Sequence, residues 1–162
     1  MFWKFHCFVR EISAHIDNKT QENWRLKLNI KFVAGFAPIV TDLGESRNFY
    51  EELFGVPLEY EGASDYTATS ELEGLKHFGL WTLLDATRSV FDQGEWPTDV
   101  PIPQGTIEFD VEDVAEAVSE MKPKGAEILQ GTRVKPRRQT TVCLLSPERL
   151  LIGITYTPWL RS

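Results

Sequence analysis

Two stretches of this chain carry the same pattern about 70 residues apart, and a repeat of that kind specifies a duplicated structural unit. In the first copy, an apolar run over residues 32–40 has the length and β-branched ending of a strand. Asp42 then stands where a helix N-cap belongs, with Glu45 three residues on. Leu43, Phe49, Tyr50, Leu53 and Phe54 recur at helical spacing before Gly55 ends the segment. The second copy alternates apolar with polar over 106–111 and repeats the cap as Asp113 with Glu116. It carries the stripe Val114, Ala117, Val118 and Met121, and closes at Gly125. Three more strands are predicted after each helix, over 56–61, 65–72 and 75–84, then over 126–131, 139–145 and 150–157. Ser146, Pro147, Glu148 and Arg149 make the last turn.

The fold class read from this is α+β: two tandem βαβββ modules, about 31–84 and 105–158, forming a cleft between curved mixed sheets. Residues 85–104, with Gly94, Pro97, Pro101 and Pro103 around Trp96, read as an irregular crossover linker. Residues 29–160 read as one domain behind an N-terminal extension over 1–28. In that extension Phe5, Phe8, Val9 and Ile12 make either a short amphipathic face for a partner or a weakly determined terminus.

Composition narrows the function. A chain of 162 residues that is 42% hydrophobic buries a full core without disulfides or structural metal. The net charge of −7, from 24 acidic against 17 basic residues, argues against nucleic acid, whose binding rests on clustered Lys and Arg. Lys4, His6 and Arg10 interrupt the aromatic N-terminus before an export signal forms, and no stretch has the length of a membrane span. Two cysteines, Cys7 and Cys143, make no disulfide framework, so a cytoplasmic location is expected. No Ser/His/Asp order, glycine-rich phosphate loop or paired-cysteine metal spacing occurs.

Strand alternation sorts the residues able to do chemistry. Ile107, Phe109 and Val111 should pack, leaving Thr106, Glu108 and Asp110 toward the cleft. Glu108 would then be a polar anchor or general base, its pKa raised by partial burial and by Asp110. Alternation alone does not separate that role from an acidic face meeting water. His77 is of a residue type able to serve as acid or base, and it shares strand parity with Gly79 and Trp81, whose indole can stack on a planar ligand. The pair reads equally as a structural histidine beside a core tryptophan. Trp96 and Trp159 either wall the cleft or cover a sheet edge. Arg133, Lys135, Arg137 and Arg138, followed by Gln139, make a basic run that either clamps an anion or stays solvated. Cys143 reads as a small buried apolar residue.

With Asp42, Leu43, Ser46, Phe49, Tyr50 and Gly55 in the first module, and the stretches 109–114 and 145–152 with Gly125 in the second, residues 31–158 resemble the vicinal oxygen chelate superfamily of glyoxalases, extradiol dioxygenases and bleomycin-resistance proteins. In its metal-dependent members the resemblance implies ligands on the first and last strand of each module. Carried over, those positions fall on Gly35, Thr106 and Gly153 and at or beside Phe78, with His77 one residue off. A catalytic divalent metal needs about three imidazole, carboxylate or thiolate ligands, which these positions do not supply. The resemblance therefore implies a small-molecule-binding protein of the bleomycin-resistance kind, expected to use no metal or cofactor and to form a homodimer. Its expected ligand-binding residues are His77, Trp81, Trp96, Thr106, Glu108 and Asp110, together with Arg138, Gln139, Gly153 and Trp159. The alternatives are a lyase or dioxygenase-like enzyme with an unusual metal site or with Glu108 and His77 as catalytic acid and base, and an interaction module that uses residues 1–28.

Overall fold

In the computed structural model, which describes residues 28–60 and 66–161, each copy of the repeat folds as one βαβββ module. Module one runs β1 (Phe32–Val40), α1 (Leu43–Arg47), β2 (Glu59–Tyr60), β3 (Thr67–Thr69) and β4 (Phe78–Thr82). Helix α2 (Leu83–Phe91) leads out of it. Module two runs β5 (Gly105–Asp110), α3 (Val114–Met121), β6 (Ile128–Val134), β7 (Thr140–Leu145) and β8 (Leu151–Tyr156).

Both aspartate caps form, each satisfying amides that a helix start leaves without partners. Asp42 accepts the Glu45 amide at 2.9 Å, and Asp113 accepts those of Ala115 and Glu116 at 2.8 and 3.0 Å. α1 continues as a π-helical turn, Asn48–Leu53, and the chain reverses at Gly55, whose φ of +69° a side chain would oppose.

Two expectations change. The stretch read as an irregular linker opens with α2, because the Thr82 hydroxyl accepts the Asp85 amide at 3.1 Å and Ala86, Thr87 and Val90 give the helix a buried face. Only beyond Asp92, which ends the helix at a φ of 60°, is the crossing irregular. The strand predicted over 56–61 shrinks to Glu59–Tyr60 at the sheet edge. Residues 1–27, which hold most of the aromatic extension, and Asp65 lie outside the described residues.

The strands form one eight-stranded sheet in the order β2-β3-β4-β1-β5-β8-β7-β6. β1 pairs parallel with β4 and β5 with β8, while β1 and β5 pair antiparallel and join the two modules within one chain. One face packs against the module helices. Val111, Val142 and Ile154 meet Val114, Ala117 and Met121 of α3, and Val40, Phe78 and Leu80 pack with Leu43 and Tyr50. The opposite face carries α2, where Val90 meets Cys143 and Leu151, and beside α2 it encloses a cavity. Among the described residues no helix is long and apolar enough to cross a membrane.

Candidate functional site

The cavity, about 580 Å³, stands on a row of residues that crosses the middle of the sheet. Gly35 on β1 lies opposite Glu108 on β5, Glu108 lies beside Gly153 on β8, and Gly153 beside Cys143 on β7. The His77 carbonyl accepts the Phe36 amide at 3.0 Å, which sets His77 next to Gly35 on the other side. Neighbours across a sheet point to the same face, so two glycines alternate with His77 and Glu108. Gly153 makes room for its neighbour, since a Cβ there would stand 2.9 Å from the Glu108 Cγ. A Cβ on Gly35 would meet the His77 side chain only at ordinary contact, 3.5 Å from its Cβ, and would press on the His77 carbonyl oxygen at 3.3 Å.

Both side chains are held. Glu108 Oε2 accepts from Gln139 Nε2 at 3.3 Å, and the same amide nitrogen donates to the Thr155 hydroxyl at 3.0 Å. His77 Nε2 and the Tyr66 hydroxyl share a 2.8 Å hydrogen bond, with the two rings stacked 5.8 Å apart. Gly79 permits that stack, since a Cβ there would overlap the tyrosine ring.

The walls come from three further pieces of chain. α2 contributes Asp85 and Ser89, and Asp85 Oδ2 is buried with no hydrogen-bond partner among the described residues. The connection between β6 and β7 contributes Lys135 and Arg137. The Lys135 ammonium donates to Ser89 Oγ at 2.8 Å and lies 5.6 Å from the Trp81 ring centre, while the Arg137 guanidinium lies 5.8 Å from that of Trp159. Trp159 and Leu160 come from the 3-10 turn Pro158–Leu160 that follows β8.

Of the residues singled out in the sequence, His77, Trp81, Thr106, Glu108, Gln139 and Trp159 meet at this cavity. Four others do not line it. The Trp96 indole N–H donates to the Val100 carbonyl at 2.9 Å and its ring packs edge-on against Phe91, so it fastens the crossing to α2. Asp110 is fully buried and spends its carboxylate on the Thr157 amide at 2.8 Å and on Arg161 at 2.6 Å. Arg138 is exposed at a φ of 62°, and Arg137 stands at the cavity in its place. Gly153 lies beneath Glu108 as its niche. Sequence reasoning missed Tyr66, Asp85 and Ser89. The last two follow from the helix signal Thr82 with Asp85, whereas nothing local marks Tyr66.

Arg161 closes the end of the sheet beside Trp159. It donates to Asp110, to Glu112 at 2.8 Å and to the Val111 carbonyl. Burial works to lower its pKa, but the hydrogen bonds to Glu112 and Asp110 outweigh burial and hold it above its ordinary value. In return, the Arg161 hydrogen bond holds the Glu112 carboxyl below its ordinary 4.5. On the cavity row, burial pushes the Cys143 thiol up to about 11.

The residues do not fit a divalent metal centre. Gly35 and Gly153 offer no side chain, the Thr106 hydroxyl donates to the buried Leu151 carbonyl at 3.0 Å, and Phe78 packs in the core on the opposite face. Among the described residues no three His, Cys, Asp or Glu side chains come together as such a centre requires.

No curated protein matches the chain. Among solved structures it is similar to a glyoxalase/bleomycin resistance protein/dioxygenase superfamily member from Vibrio splendidus 12B01, at 14% identity and a TM-score of 0.52 over 77% of this chain and 99% of that one. It is also similar to a variant of Streptomyces coelicolor methylmalonyl-CoA epimerase in complex with 2-nitronate-propionyl-CoA, at 12% identity and a TM-score of 0.53 over 82% and 99%. At such identities the likeness is one of fold. The family model of the glyoxalase/bleomycin resistance protein/dioxygenase superfamily matches residues 34–148, from within β1 to the turn after β7, and the chain belongs to that superfamily.

Proposed function

We propose that the protein binds a small organic molecule in this cavity without a metal. The observation that carries the reading is the row His77, Gly35, Glu108, Gly153, in which glycines occupy two carried-over ligand positions and the Glu108 side chain takes the space over Gly153. A cavity of this volume, with tryptophans and a few placed polar groups on its walls, suits an organic ligand. The test is ligand-observed NMR of planar organic fragments against chelator-treated protein. Hits should survive the chelator and weaken at least tenfold in Trp81→Ala or Trp159→Ala. A screen without hits, or hits that appear only with added metal, would overturn the reading.

A second reading is favoured by one observation: His77 and Glu108 face the cavity on either side of Gly35, two strands apart, as an acid and a base astride a substrate would be. It requires turnover of a bound ligand that Glu108→Gln or His77→Ala abolishes. A cytoplasmic location and a homodimer belong to the proposal as well. Phe49, Leu53 and Phe54 expose a joined apolar patch beside α1 that a second copy could cover, and light scattering on the purified chain would show two copies or one.

A further inference from the structure

We infer that the cavity selects a dipolar aromatic ligand: a flat ring with an N–H or O–H donor toward Glu108 and an anionic group toward Lys135 and Arg137. This deepens the reading of the cavity as an organic-ligand site and rests on it.

The basic run that the sequence shows as one block is divided by the structure. Arg133 is used structurally, donating to the Ser89 carbonyl of α2 at 3.0 Å, where the negative end of a helix favours a cation. Arg138 does not reach the cavity lining. Lys135 and Arg137 do, and among the described residues neither forms an ion pair with a carboxylate. Their partners are a neutral hydroxyl and two indole faces, which leave both positive charges unneutralised at the cavity wall.

One short loop carries both the cations and the link to the acid. The Lys135 amide donates to the Gln139 carbonyl at 2.7 Å, closing the loop on itself, and the Gln139 side chain reaches down to Glu108. Arg137 and Arg138 both adopt a left-handed backbone, a conformation that non-glycine residues keep only where their surroundings impose it. Glu108, between two glycines, has no neighbouring side chain beside it on β1 or β8, so its carboxylate accepts from whatever enters. Asp85 adds a second acceptor on the helix wall. Acceptors on the sheet and helix, cations on the loop and tryptophan rings beside those cations share one cavity, and they are complementary to a ring that is a donor at one end and an anion at the other.

The test is calorimetric titration of the full chain at low salt with four probes on one ring. Indole-3-acetate carries both features, indole-3-acetamide lacks the charge, tryptamine reverses it, and 1-methylindole-3-acetate lacks the N–H. Indole-3-acetate should bind at least tenfold more tightly than each of the other three. Its advantage over the amide should vanish in the Lys135→Gln, Arg137→Gln double variant, and its advantage over the N-methyl probe in Glu108→Leu, which removes the acceptor. The wild-type series is decisive should a variant fail to fold. Equal binding of the four would overturn the dipolar class and leave the cavity reading standing. Binding by none would overturn the class too, and the fragment screen then decides the cavity reading on its own.

Discussion

Glycine is the residue that explains this site. At position 153 it yields space to Glu108, and at 79 it yields space to Tyr66. Gly153→Ala places a methyl group 2.9 Å from the Glu108 Cγ, so it should destabilise the protein by about 1–3 kcal/mol and weaken ligand binding. Gly131→Ala, with nothing within 4 Å, should do neither, and thermal melts of the two variants compare them directly. Cys143 gives a second prediction. Its thiol ionises near 11 in the folded chain against an ordinary 9.0, so the folded state favours the neutral form. That contribution is complete below pH 9 and is lost as pH rises toward 11. Alkylation at pH 8, read at Cys143 by mass spectrometry, should be slow in the native protein and fast after denaturation. Side-chain chemistry together with strand parity brought His77, Trp81 and Glu108 to attention, since period two is visible in sequence. Tyr66 escaped it, because its partner His77 is fixed by pairing between strands rather than by local spacing.

Helix starts were legible and helix surroundings were not. Asp42 and Asp113 announce α1 and α3 through their spacing to Glu45 and Glu116, and both caps form. α2 was hidden because the glycine and prolines from Gly94 onward dominate the stretch, while the helix draws its stability from burying Val90 against Cys143 and Leu151. The fastening after β8 was hidden for a similar reason: Asp110 and Arg161 are 51 positions apart, and only the sheet unites them. Arg161→Ala leaves the buried Asp110 carboxylate without its cation and should cost about 3 kcal/mol in denaturant unfolding. The pH dependence has a definite sign. Arg161 depresses the Glu112 pKa below 4.5, so this contribution is complete above that pH and is lost as pH falls through the depressed value. Acid titration of the melting temperature should therefore show a larger drop in wild type than in Glu112→Gln.

The duplicated modules, the α+β class and the superfamily could all be read from the sequence, because a repeated strand, cap and helix leave few topologies. The joining of both modules into one eight-stranded sheet within a single chain could not, since the β1–β5 pairing is a contact between repeats. That pairing brings Gly35 against Glu108, whose other neighbour, Gly153 on β8, turns a carried-over ligand position into a niche for the acid. The cavity is then an organic site rather than a metal site. Metal content of the purified protein, taken with its melting temperature with and without chelator and with added Zn²⁺, Ni²⁺, Mn²⁺ and Fe²⁺, tests that most directly, because a ligand of the folded state raises its stability. An organic site gives no stoichiometric metal and a melting temperature that neither chelator nor added metal moves; a stoichiometric metal whose removal lowers the melting temperature would rule that site out.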